Sequence, residues 1–154
     1  MFLSKYIRDG WSILDYGCGR GFDVGHYMQQ GHKAVGYDPL HNPTKPVGQF
    51  DAVTLVFVLN VVPSVKDRQK VMKGCLDHAS GQIFVAVRSR KEIDRHAPKW
   101  TPYKDGFVTG KGSFQRGFTG DELKDFLLPY GKVDIVKDSS EWVGAVVHRI
   151  SPSG

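Results

Sequence analysis

A chain of 154 residues with 40% hydrophobic and 12% aromatic content has the length of one compact domain and enough apolar surface for a sizeable core. No apolar run approaches the ~18 residues of a membrane-spanning helix, and the first ten residues, broken by Lys5, Arg8 and Asp9, lack the uninterrupted apolar stretch of a secretion signal. A cytoplasmic protein with no membrane partner is therefore expected, and Cys18 and Cys75 stand at no metal-type spacing with each other or with the six histidines, which argues against a zinc site or a disulfide framework.

In chain order, WSILDYG and KAVGYDP are short apolar runs ending in Gly or Pro and read as strands buried on both faces. Between them FDVGHYMQQG has helical length and closes on Gly31. FDAVTLVFVLNVV is a third apolar strand and GQIFVAVRS a fourth, separated by the amphipathic SVKDRQKVMKGCLDHA with Val65, Val71, Met72, Cys75 and Leu76 facing inward. Such alternation predicts a mostly parallel α/β sheet.

Residues 89–118 interrupt the pattern with little periodicity, and read as a substrate-side insertion in a single domain spanning 1–154. TGDELKDFLLPYG resumes as a helix with Thr119 as its N-cap, and KVDIVKDS and EWVGAVVHRI form a terminal antiparallel hairpin. The net charge of +5 is concentrated: between Arg88 and Phe118 eight basic residues face three acids, so this stretch carries the whole excess.

Gly17, Gly19 and Gly21 follow the first strand directly. Glycines there let the chain turn tightly and bring backbone N–H groups and a helix N-terminus against a ligand. A dinucleotide-binding Gly-x-Gly-x-x-Gly turn would need glycine where Phe22 stands. Asp15, two residues ahead of the first glycine, suits a ligand bearing an amine and a positive charge. The alternative is a ligand-free turn with Asp15 and Asp38 as solvated strand ends.

This acid followed by Gly-x-Gly-x-Gly, with Asp38 ending the second strand, resembles the class I S-adenosylmethionine-dependent methyltransferases. The resemblance implies a Rossmann-like sheet and S-adenosylmethionine as cofactor, with Asp38 accepting from the two ribose hydroxyls. It assigns the cofactor to Asp15, Gly17, Cys18, Gly19, Gly21, Asp38, Pro39 and Leu59, with Leu40 joining Pro39 as an apolar wall for the base. Read in order, DYGCGRGFDV, VGYDPLHNP, FDAVTLVFVLNVVPSVKDR and DGFVTGKGSFQRGFTGDEL are similar to the DNA phosphorothioation-associated methyltransferases. That narrower likeness implies a nucleic-acid partner, DNA favoured.

Only twelve residues separate Asp38 from Asp51, too few for a further helix and strand, so the sheet is expected to be trimmed at that edge. Asp51 opens its strand, away from the crevice where ligands bind, and reads as structural. Asn60 sits where amino-methyltransferases place a side-chain oxygen for the target NH₂, although Val61, Val62 and Pro63 depart from their pattern. It is the candidate catalytic residue, the alternative being a turn cap. Neither cysteine is placed for cytosine-C5 chemistry. In the insertion, Arg88, Trp100, Phe114, Gln115 and Arg116 are the candidate substrate contacts, pairing phosphate-neutralising cations with stacking rings. A loop folded back over the core is the alternative. Nucleic-acid methylation, small-molecule methylation and non-catalytic cofactor binding all remain open at this point.

Overall fold

The computed structural model describes residues 5–17 and 19–149. Nine strands and four α-helices follow in order: β1 (Ser12–Tyr16), α1 (Phe22–Gln29), β2 (Lys33–Tyr37), β3 (Phe50–Val56), α2 (Val65–His78), β4 (Ala79–Arg88), α3 (Arg90–His96), β5 (Thr101–Tyr103), β6 (Gly106–Val108), β7 (Phe114–Gln115), α4 (Gly120–Leu127), β8 (Lys132–Asp138) and β9 (Trp142–His148).

The main sheet runs β2-β1-β3-β4-β9-β8. Its first four strands are parallel, and β9 inserts antiparallel between β4 and β8. This is the mostly parallel α/β sheet with a terminal hairpin that the sequence predicts. The short connection after Asp38 leaves β2 at the edge, as expected from its length. One expectation fails there: β2 is not buried on both faces but alternates, with Lys33 and Val35 outward, because an edge strand lacks a covering layer on one side.

The core lies in two layers. One face of the sheet packs Ile13, Ala52 and Phe84 with Tyr27 of α1. The other packs Leu14, Val53, Leu55 and Val85 with Met72 and Cys75 of α2 and Leu123 and Leu127 of α4. Burying such side chains contributes about 1.5–3 kcal/mol each. Thr119 caps α4 in a reciprocal box, its Oγ1 accepting from the Glu122 N–H while Glu122 Oε1 accepts from the Thr119 N–H. Asp51 is structural: its carboxylate accepts from the Ser12 N–H at 2.8 Å, tying the starts of β1 and β3.

Two further corrections concern α2 and the insertion. Val65 is exposed rather than inward, since it occupies the first position of its helix, ahead of the turn that packs on the sheet. Residues 89–118 are not irregular: they hold α3 and a separate three-stranded antiparallel sheet, β5-β6-β7.

Candidate active site

β1 and β3 are neighbours, but their following connections diverge, β1 leading to β2 on one side and β3 to β4 on the other. A crevice opens at the carboxyl ends of strands where the order reverses in this way. The glycine turn flanks it from β1, and a short 3₁₀ turn, Leu59–Val61, flanks it from β3.

Gly17, Gly19 and Gly21 all have positive φ, at 88°, 54° and 86°. The turn is fastened at both sides: Gly17 N–H donates to the Tyr37 carbonyl at 2.7 Å, and Gly19 N–H donates to Asp38 Oδ2 at 3.0 Å. A Cβ at Gly19 would meet no atom within 4 Å, whereas one at Gly17 would stand 2.5 Å from Val58 Cγ2. Gly19 therefore faces open space and Gly17 faces the chain leaving β3. Beside the turn lies a cleft of about 200 Å³ lined by Gly19, Arg20, Gly21, Val24, Gly36, His41 and Asn42.

Asp38 Oδ1 accepts from the Leu40 and His41 N–H groups at 2.9 and 3.0 Å. Partial burial pushes its carboxyl pKa up, but the N–H groups of His41, Leu40 and Gly19 more than offset this and hold it below the usual carboxylate value. It is an ionised acceptor at the lip of the cleft. Pro39 and Leu40 are both exposed and lie outside the lining of that cleft.

Asp15 departs from expectation in its depth. It is 3% exposed and accepts from Thr54 Oγ1 at 2.9 Å across the β1–β3 pair. Desolvation raises its pKa to about 6, against the Thr54 hydrogen bond. It underlies the turn rather than lining the cleft. Leu59 is likewise fully buried in the core. Cys18 falls outside the described residues.

β3 ends at Val56, earlier than its apolar run, because Phe57 adopts φ 57°. Asn60 consequently sits on the 3₁₀ turn and is 1% exposed. Its Nδ2 donates to Gln115 Oε1 at 3.1 Å, and its carbonyl accepts from the Arg116 N–H at 2.7 Å. The Asn60 Oδ1 and the Arg116 Nη1 are buried without a hydrogen-bond partner among the described residues. A buried polar atom left so costs about 1–3 kcal/mol. The insertion thus closes over the Asn60 turn and brings Asn60, Gln115 and Arg116 together.

The remaining predicted contacts separate. Phe114 is buried and meets Tyr103 edge-on at 6.3 Å, so it is a core ring and not a stacking platform. Arg116 is turned inward over Phe118 at 4.0 Å and ion-paired with Glu122 at 2.8 Å and Asp105 at 3.5 Å. These acids compete with any phosphate. Trp100 stacks on His96 at 5.4 Å. Arg88 is exposed at the end of β4, its guanidinium 4.8 Å from the Phe57 ring.

Sequence reasoning misses Arg68. This residue of α2 is fully buried, its Nε donating to the Val62 carbonyl at 2.9 Å and its two terminal nitrogens to Asp105 at 2.5 and 2.7 Å. It fastens the chain after Asn60 to the β5–β6 turn.

A trimmed parallel sheet with an antiparallel hairpin, a left-handed glycine turn after β1 and an acid ending β2 define a class I S-adenosylmethionine-dependent methyltransferase. The chain belongs to the methyltransferase domain family, whose profile matches residues 1–129. Among solved structures, a SAM-dependent methyltransferase from Methanosarcina mazei is 16% identical and covers 97% of each chain with a TM-score of 0.71. The 1,6-didemethyltoxoflavin-N1-methyltransferase of Burkholderia thailandensis, solved with 1,6-didemethyltoxoflavin and S-adenosylhomocysteine, is 15% identical over 96% of this chain and 75% of that one, TM-score 0.69. The magnesium protoporphyrin IX methyltransferase of Synechocystis, solved with SAM, is 13% identical over 94% and 74%, TM-score 0.55. Comparison with curated proteins gives no match. These matches reach the broad family and do not single out the phosphorothioation-associated group.

The residues fit S-adenosylmethionine: the space in front of Gly19 is open and leads into the cleft beside the turn, and Asp38 is an ionised carboxylate bonded to the Gly19 N–H. No helix among the described residues is long and apolar enough to cross a membrane.

Proposed function

We propose that this enzyme methylates a small-molecule acceptor whose reacting group is held at Asn60. The carrying observation is the closure of the insertion over the Asn60 turn, through the Arg116 N–H bond to the Asn60 carbonyl and the Asn60–Gln115 side-chain bond. A segment folded inward in this way, with Phe114 buried and Arg116 and Arg90 both bound to Glu122, suits a wall around a compact acceptor better than a surface for a polynucleotide. The toxoflavin-type and porphyrin methyltransferases named above, which share the fold, also take ring compounds rather than nucleic acid.

Bound S-adenosylmethionine supplies a methyl group already activated by its sulfonium charge. The chain's own residues have the positioning work. Asp38 would accept from ribose hydroxyls and the glycine turn would lie against the cofactor, while the Asn60 Oδ1, buried without a partner among the described residues, would accept from the acceptor's N–H or O–H. Closure by β7 keeps water from the reacting atoms.

The test is incubation with methyl-labelled cofactor and separate metabolite, DNA and RNA pools. Label should appear in the metabolite pool and should fall roughly tenfold or more in Asn60→Ala, the equivalent of about 1.4 kcal/mol of transition-state contact, with cofactor binding kept. Label in DNA or RNA, with steep salt dependence, would replace this reading by the nucleic-acid one that the narrower family likeness implies.

A further inference from the structure

The carboxyl ends of β3 and β4 present an arginine whose guanidinium donors are unused among the described residues. Arg88 is the last residue of β4 and is exposed. Its backbone is fixed, the carbonyl accepting from the Phe118 N–H at 3.0 Å, while among the described residues its guanidinium meets no carboxylate. The arginines around it behave otherwise: Arg68 and Arg116 are bound to Asp105, Arg90 and Arg116 to Glu122, and Arg95 to Glu92.

What Arg88 does meet is the ring of Phe57, 4.8 Å from its guanidinium carbon. Phe57 is a non-glycine residue in the left-handed region, at φ 57°, a conformation that costs about 1–2 kcal/mol. Its N–H still donates to the Ala86 carbonyl at 2.8 Å, so the sheet ladder is kept up to that residue and the turn follows at once. Strain of this kind persists where surrounding structure enforces it and clusters at ligand sites. The next residue, Val58, is the one whose Cγ2 lies against Gly17. The Phe57–Arg88 pair is therefore one residue removed from the contact between the glycine turn and the chain leaving β3, and three residues from Asn60.

We propose that Arg88, held on the Phe57 ring, is the anion anchor of the acceptor site, and that the acceptor is a small molecule carrying a carboxylate or a phosphate monoester. The proposal rests on the small-acceptor reading above and names its chemical class. A guanidinium resting on an aromatic ring is restrained, less mobile than a free arginine, and its planar fork of N–H groups is spared for a bidentate pair with such an anion. A guanidinium free of acids among the described residues, restrained on a ring, matches an anionic group. Asn60 then sets which atom receives the methyl, and Arg88 which molecules are admitted.

The experiment uses the whole protein, labelled with ¹⁵N-arginine and saturated with S-adenosylhomocysteine, and follows the arginine Nε–H signals during titration with benzoate, phenyl phosphate and neutral benzamide. The Arg88 signal should shift saturably with benzoate or phenyl phosphate and stay still with benzamide. Benzoate alone would assign a carboxylate, phenyl phosphate alone a phosphate. Arg88→Gln should weaken that binding at least tenfold while the thermal shift by S-adenosylhomocysteine is kept. The proposal is overturned if neither anion moves Arg88 more than it moves Arg95, or if Arg88→Gln binds the anions as well as the parent does. A shift produced by a single-stranded oligonucleotide and by neither small anion overturns it together with the small-acceptor reading. Saturable binding of either small anion, with label entering only DNA or RNA in the transfer assay, upholds the anchor and removes that reading alone.

Discussion

The Gly19 N–H donates to Asp38 Oδ2 at 3.0 Å, so the acid that ends β2 holds the glycine turn that follows β1. The same carboxylate takes two more N–H groups, from Leu40 and His41, through its other oxygen. Turn and acid are one unit before any ligand arrives, and a cofactor meets a geometry already set. Asp38→Asn replaces one acceptor oxygen by an NH₂ that faces backbone donors. It should lower stability by about 1–2 kcal/mol in urea unfolding and weaken S-adenosylhomocysteine binding at least tenfold by calorimetry. Retention of full affinity would separate Asp38 from the ribose site.

The two outer contacts of the turn predict different fates for neighbouring glycines. Both Gly17→Ala and Gly19→Ala place a side chain at positive φ, which costs about 1–2 kcal/mol. Only at Gly17 does the new methyl also collide with Val58. Gly17→Ala should therefore show the larger fall in melting temperature. Gly19→Ala should show the larger loss of cofactor affinity relative to its stability loss, because its methyl enters the space the ligand takes. The opposite ranking would place the ligand elsewhere.

What could be read from the sequence was local. The glycine spacing, the acid at the end of β2 and the short link to Asp51 each lie within one turn or connection, and each found its place. Arg68 shows the limit: in SVKDRQK it looks like one more polar residue of an amphipathic helix, and its burial depends on Asp105, thirty-seven residues on, and on the rings of Phe114 and Phe118 at 5.8 and 5.9 Å. The charge of the insertion shows the same limit. Glu122, which binds Arg90 and Arg116, lies just beyond the basic stretch, so a count along the chain left out one acid that pairs with two of its arginines in space. Strands as short as β7, with two residues, show no periodicity at all, and nothing in the sequence marks Phe57 as left-handed.

Asp15 predicts an unusual pH dependence. Its folded pKa of about 6, raised mainly by desolvation from the ordinary 3.8, means that the folded chain binds this proton more tightly than the unfolded one. Its contribution to stability is therefore present below about pH 4 and is lost as pH rises towards 6 and beyond, by about 3 kcal/mol for a shift of this size. Asp38, Asp105 and Glu122, all held below their ordinary values, act in the opposite sense and at lower pH. The diagnostic is thus the difference between parent and Asp15→Asn in urea unfolding: negligible near pH 4, and favouring Asn by up to that amount at pH 7. Cofactor affinity measured alongside decides the role of Asp15, since an unchanged value in Asp15→Asn would remove it from cofactor binding.

The Arg68–Asp105 pair predicts an asymmetry between its two partners. Arg68 is 2% exposed and Asp105 37%, so the partners are left in different surroundings when the pair is cut. Asp105→Ala strands a fully buried guanidinium that keeps only the Val62 carbonyl and a distant ring on either side, a loss of about 3 kcal/mol or more. Arg68→Met leaves a carboxylate that can turn towards water and retains Arg116 at 3.5 Å, while the Met side chain refills the apolar space. Its cost should be smaller, about 1–2 kcal/mol. Arg68→Lys cannot reproduce the two parallel bonds to Asp105 together with the Nε bond to Val62, so it should not recover parental stability. Urea unfolding of the three variants at neutral pH checks the order. Amide hydrogen exchange checks the cause: in Asp105→Ala, β6 and β7 should lose protection first, because Arg68 ties the β5–β6 turn to Val62, while β1 and β3 keep theirs. Equal costs for Asp105→Ala and Arg68→Met, or uniform loss of protection, would show that the pair holds no such local joint.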